Sequence, residues 1–146
     1  MDKYVVGLDE YTIMNEVNPI AYTRDLTSCI AVLLHLKDSC ILMHIAAFER
    51  GEIELHKFIK LVSERKEEIE SAEIFKALKT ELSNLDKVCD ILTELGISFE
   101  IEDVFRNYSN VTSVGYNYKD KKYYMVNIYE EGPEFIEVPK GYKIEL

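Results

Sequence analysis

Two apolar runs, residues 28–36 and 40–46, dominate the hydropathy pattern; both are rich in Ile, Val and Leu, and Lys37-Asp38-Ser39 separates them. Short apolar runs flanking a turn of this chemistry predict a hairpin, and the lack of alternating polar positions predicts burial on both faces. With Lys37-Asp38 as a two-residue loop, Ile30, Val32 and Leu34 oppose Ile45, Met43 and Ile41, a uniform apolar layer. The other face then carries Cys29, Ala31, Leu33 and His35 against Ala46, His44, Leu42 and Cys40. A slip of one residue would exchange the two faces, so the register decides which side chains meet.

Residues 4–8 and 19–23 read as short strands, the second entered through Pro19, with a mixed segment at 9–18 between them. Leu55, Phe58, Ile59 and Val62 recur at helical spacing and predict a helix over 52–69, with Glu64, Arg65, Lys66, Glu67 and Glu68 as its solvated end. Residues 72–78 fit either a short strand or a continuation of that helix. A second helix is predicted over 83–95, with Leu85, Val88, Cys89, Leu92 and Leu95 as its inner stripe. Ser83 and Asp86 form a near capping box at its start, and Gly96 supplies the stop. Beyond the glycine, Ile97, Phe99 and Ile101 alternate with Ser98, Glu100 and Glu102, the pattern of a half-buried strand. Residues 111–118 and 123–129 flank Lys119-Asp120-Lys121-Lys122 as another hairpin, and strands at 134–138 and 142–146 complete a strand-rich end. No internal repeat or linker interrupts the chain. The expectation is one α+β domain over 1–146, with two main helices covering largely antiparallel sheets.

Composition narrows the partners. With 27 acidic against 17 basic side chains and a net charge of −10, the average field repels polyphosphates and anionic headgroups, so no nucleic acid is expected. No basic leader precedes a long apolar stretch and no segment approaches a bilayer span, which predicts no membrane insertion and a cytoplasmic location. The three cysteines show no Cys-x-x-Cys spacing, so free thiols in a reducing compartment are expected rather than disulfides or zinc ligands. No two histidines share a ligand spacing and the glycines are isolated; no metal and no cofactor is predicted.

Candidate chemistry concentrates on the hairpin. A free cysteine ordinarily packs as a small hydrophobe, and that reading holds for Cys40 and Cys89. Cys29 differs because Thr23, Arg24, Asp25, Leu26, Thr27 and Ser28 make a polar approach to its strand, which leaves a sulfur accessible and backbone N–H groups nearby. In the register above His44 is its diagonal neighbour, roughly 7–8 Å away between backbones and within side-chain reach. His35, beside the turn, and His56, on the polar side of a helix, carry less. The acidic clusters at 64–70 and 130–137 read as solvated faces.

The N-terminal third holds Val6-Gly7-Leu8, then Glu10-Tyr11 and Met14, a strand ending at Thr23, Thr27-Ser28-Cys29-Ile30-Ala31-Val32, and Ile41-Leu42-Met43-His44 after the turn. In these features it resembles the chemoreceptor glutamine deamidase (CheD-like) family. A weaker similarity continues through Leu95-Gly96-Ile97 and Val114-Gly115-Tyr116-Asn117-Tyr118. It implies a layered α/β/β sandwich and a cysteine-dependent protein-glutamine deamidase in which Cys29 is nucleophile, His44 base and Thr23 the orienting group. Asp25 is a rival for that last role. Backbone N–H groups of Ser28 and Cys29 are the candidates for the oxyanion site. The implied substrate is the cytoplasmic helices of chemoreceptors, with a chemotaxis phosphatase as a further partner. The chain departs from the family at Thr27, where glycine is usual, at Ile45-Ala46-Ala47-Phe48-Glu49 in place of a Leu-Pro segment, and in a shortened middle lacking a Gly-Gly. Those departures suit the alternative, a diverged member that binds a receptor or phosphatase without strong activity.

Overall fold

The computed structural model describes residues 3–5, 10–24, 26, 28–45, 50–77, 82–106, 112–129 and 132–139. Strands β1 (Lys3–Val5), β2 (Tyr11–Met14) and β3 (Ile20–Arg24) come first, followed by the hairpin β4 (Ile30–Leu36) and β5 (Cys40–Ile45). Helix α1 (Arg50–Glu64) leads to β6 (Ile69–Lys76), and helix α2 (Leu82–Glu94) to β7 (Phe99–Asp103). The remainder is β8 (Phe105–Arg106), β9 (Thr112–Asn117), β10 (Lys122–Tyr129) and β11 (Gly132–Val138). Among the described residues these strands form two sheets: β1-β3-β9-β10-β11, with β8 beside β9, and β2-β5-β4-β6-β7.

The sheet containing the hairpin is apolar on both faces, and this sets the layering. One face presents Ile30, Val32, Leu34, Ile41, Met43 and Ile45 to Leu55, Phe58 and Val62 of α1 and to Val88 and Leu92 of α2. Its opposite face presents Ala31, Leu33, Cys40 and Leu42 to Ala21, Val114, Tyr116 and Tyr123 of the other sheet. The result is an α+β sandwich in three layers, helices on one sheet and that sheet on a second. Ile30 pairs with Ile45, Ala31 with His44, Val32 with Met43 and His35 with Cys40, the register expected from a two-residue loop. Most pairing is antiparallel; β1 with β3 and β6 with β7 are the parallel pairs. Parallel neighbours need a crossover, and α2 provides the one between β6 and β7.

Several expectations change. The first helix ends at Glu64, residues 65–68 form a turn, and the chain enters β6 at Ile69. Residues 69–76 are therefore strand, because Ala72, Ile74 and Phe75 bury on opposite faces of the hairpin sheet, a fit that only a strand can make. The mixed segment at 9–18 contains β2, an edge strand in which Tyr11 and Ile13 stay exposed while Met14 is buried; with apolar side chains on the exposed face as well, its hydropathy does not alternate. Half-burial of the alternating apolar face in β7 fails at Ile101, which is 46% exposed: β7 is the sheet's other edge, and the helical layer's apolar cluster reaches Phe99 but not beyond. Cys89 is only half-buried on its helix. The short strand β8 was not expected, and the predicted strand at 142–146 lies outside the described residues.

Gly96 closes α2 as anticipated. It has φ +71°, its N–H bonds the Thr93 carbonyl at 3.0 Å, and the Ile97 N–H bonds the Leu92 carbonyl at 2.9 Å, a Schellman closure with Ile97 and Leu92 in one apolar cluster. A Cβ at Gly96 would meet nothing within 4 Å, so Gly96→Ala is expected to cost about 1–2 kcal/mol through the backbone alone. Phe58→Ala, at a wholly buried site between helix and sheet, is expected to cost about 3–5 kcal/mol. Urea unfolding of the two variants checks both magnitudes.

Candidate active site

Thr23 and His44 approach from different sheets. Thr23 lies on β3 and is completely buried, and His44 lies on β5 at 4% exposure. Strand alternation turns His44 to the same face as Leu42 and Cys40, into the layer between the sheets. There Thr23 Oγ1 and His44 Nδ1 are 2.7 Å apart, a hydrogen bond spanning the sandwich. A threonine hydroxyl can accept from Nδ1–H, which leaves Nε2 as the basic nitrogen of a neutral imidazole. The His44 main-chain N–H donates to the Glu10 carbonyl at 3.3 Å, tying that end of β5 to the segment before β2.

Cys29 immediately precedes β4. It is half-buried and packs against the apolar cluster between the sheets, so it shares the face of Ala31, whose cross-strand partner is His44. This is the diagonal relation expected from the hairpin register. Ser28, at the bend just before it, is half-buried as well. Asp25, the rival for the orienting role, lies outside the described residues, as do Thr27 and the segment 46–49.

A second polar constellation lies in the same layer. His35 Nε2 and Glu73 Oε1 are 2.6 Å apart, the Tyr123 hydroxyl donates to that oxygen at 2.5 Å, and Cys40 Sγ stands 3.4 Å from His35 Nδ1. On connectivity alone Cys40-His35-Glu73 has the form of a catalytic triad. Burial decides otherwise: Cys40 is 1% exposed, and desolvation pushes its thiol up to about 12, so almost no thiolate exists at neutral pH. Glu73 is held below the usual carboxylate range: burial works to raise it, and hydrogen bonds with His35, Glu102 and Tyr123 outweigh burial. The hairpin register already placed His35 opposite Cys40; no signal in the sequence joined Glu73 and Tyr123 to them. Cys89 is also raised, first by burial and then by Asp86 and Asp90, and His56 is exposed on α1.

Comparison with known proteins adds little. No protein-family model matches the chain, and no curated protein matches it. Among solved structures, the C-terminal domain of CNFy from Yersinia pseudotuberculosis is similar at a TM-score of 0.29 and 10% identity, over 94% of this chain. The chain spans 59% of the length of that domain. A similarity at this level bears on neither fold nor function. No described helix is long and apolar enough to cross a membrane.

Thr23→Val keeps the side-chain shape but removes the hydroxyl from the buried imidazole. The expected loss is about 1–3 kcal/mol in urea unfolding, and Thr23→Ser should recover most of it. With a limiting alkylating reagent at neutral pH, Cys29 is expected to label before Cys89, with Cys40 unlabelled until the protein unfolds. Peptide mass mapping over time reads that order.

Proposed function

We propose that the chain is a cysteine-dependent protein-glutamine deamidase whose substrates are glutamines on chemoreceptor cytoplasmic helices, with Cys29 as nucleophile, His44 as general base and acid, and Thr23 as the positioning residue. The observation that carries this reading is the 2.7 Å bond between Thr23 and His44, made across two sheets at the end of the hairpin where Cys29 precedes β4. The Thr23–His44 bond supports the assignment of an oriented base, and the receptor substrate rests on the sequence resemblance.

A carboxamide is a poor electrophile, and a thiol route divides its hydrolysis into two easier steps. His44 Nε2 takes the Cys29 proton, and the thiolate adds to the carboxamide carbon. The negative charge on oxygen is met by N–H groups at Ser28 and Cys29. Collapse of this adduct breaks the C–N bond, and the departing ammonia carries away the proton held by His44. A water then gives its proton to the same imidazole and adds to the thioester. The C–S bond breaks, glutamate remains, and the Cys29 thiol regains its proton. Through both steps Thr23 keeps Nδ1 engaged, so Nε2 is the nitrogen that exchanges protons.

Incubation with receptor cytoplasmic fragments, read by peptide mass spectrometry, is expected to show glutamine converted to glutamate. Cys29→Ala should abolish conversion, and His44→Ala should reduce it by roughly 10²–10⁴-fold. Thr23→Val should lower kcat and shift its pH profile, with Thr23→Ser restoring both. Conversion that survives Cys29→Ala rules out the thiol mechanism. Binding of receptor fragments without any conversion would favour the diverged binding module that the departures at Thr27 and in the middle of the chain suit.

A further inference from the structure

Strand β7 runs parallel to β6, with Glu73 opposite Glu100 and Phe75 opposite Glu102. Alternation therefore places Glu73, Glu100 and Glu102 on one face of the sheet, the face turned toward the second sheet. One carboxylate oxygen from each lies within 4.8 Å of the others. Three carboxylates so close repel strongly, more so where one of them is buried in a protein of net charge −10.

The hydrogen bonding of Glu73 points to a ligand. The residue is 4% exposed, and its Oε1 takes the contacts with His35 and Tyr123. Its Oε2 is buried and, beyond the Glu102 carboxyl beside it, meets no hydrogen-bond partner among the described residues. Where Glu73 faces Glu102, two carboxyl groups meet, and two such groups stay in contact only with a proton or a cation between them. Beside them opens a cavity of about 430 Å³ whose walls include His35, Ser71, Glu73, Ser98, Glu100 and Tyr123. That space admits water or hydroxyl oxygens to complete a coordination shell.

We propose that Glu73, Glu100 and Glu102 bind a hard divalent cation of calcium size, at a site separate from Thr23 and His44. Ca²⁺ takes six to eight oxygens at about 2.3–2.6 Å, so the oxygens around it stand up to about 5 Å apart, and three carboxylate oxygens within 4.8 Å of one another fit inside such a shell. Mg²⁺, at about 2.0–2.1 Å, draws its ligands closer and keeps more of its own water. Thiolate-seeking ions are disfavoured because Cys40, the nearest sulfur in this network, is a buried thiol. The bound cation cross-links edge strand β7 to β6. Through Glu73 and Tyr123 it also joins that edge to the opposite sheet.

Terbium serves as the probe, since it seeks hard oxygen donors and its luminescence is excited by a neighbouring tyrosine; Tyr123 bonds Glu73 directly. Titration of the intact chain should give a saturable signal at one ion per chain, displaced by Ca²⁺ at lower concentration than by Mg²⁺. Glu100→Gln and Glu102→Gln, at more accessible positions on the edge strand, should each weaken Ca²⁺ displacement and direct calorimetric binding by roughly tenfold or more while the chain stays folded by circular dichroism. Tyr123→Phe should dim the luminescence with calorimetric binding of Ca²⁺ retained. No saturable binding up to millimolar Ca²⁺ would overturn the site and leave a shared proton as the link between Glu73 and Glu102. Binding that is indifferent to both glutamine substitutions would overturn it too. The outcome is independent of whether Cys29 is catalytic.

Discussion

The register of the β4–β5 hairpin is the constraint on which the rest depends. Both faces of this hairpin are buried, so neither tolerates the other's side chains. The face bearing Ile30, Val32, Ile41 and Met43 receives the helices, and the face bearing Ala31, Leu33 and Leu42 receives the second sheet. Moving the pairing by one residue would turn His44 toward α1, where no hydroxyl from β3 could meet it, and would put branched aliphatic side chains where Tyr116 and Tyr123 now pack. Layer order, core composition and the direction of His44 follow from one short turn at Lys37-Asp38.

Two polar contacts in the layer between the sheets link one sheet to the other. At one, Thr23 meets His44; at the other, Tyr123 meets Glu73, which also holds His35. Each histidine has a cysteine beside it in the hairpin pairing, yet solvent separates their chemistry. Cys40 lies inside the strand, walled by aromatic rings, and its thiol keeps its proton. Cys29 lies before the strand begins, at the half-exposed rim of the layer. Similar residue types in a similar relation thus become a packing contact at one end of the hairpin and a candidate nucleophile at the other.

The Glu73 network also gives β6 a role beyond pairing. A carboxylate in the core is tolerated only when hydrogen bonds or opposite charge compensate for lost hydration. Here His35 and Tyr123 occupy one oxygen, and the acidic edge strand β7 lies beside the other. The polar side of the sandwich interior therefore opens toward that edge, whereas Thr23 and His44 are buried at the hairpin's other end.

Local pattern determined a good deal by itself. The turn chemistry at Lys37-Asp38 and the uniform apolar runs were enough for the hairpin and its register, because side-chain alternation is strict in a strand. Helical spacing and Gly96 were enough for α2 and its end. The approach of Cys29 to His44 followed from the register, while Thr23 came from family resemblance. Tertiary structure alone decided the remainder. Whether residues 69–76 were strand or helix depended on two neighbouring strands, β4 and β7, that a local window does not contain. Edge strand β2 carries the apolar Tyr11 and Ile13 on its exposed face, so its hydropathy does not follow its burial. The meeting of Thr23 with His44, and of Glu73 with Tyr123 and with the glutamates of β7, requires two sheets to be stacked and a parallel strand to be brought back by a helix. Such contacts join residues far apart in the chain, and spacing along a sequence carries no record of them.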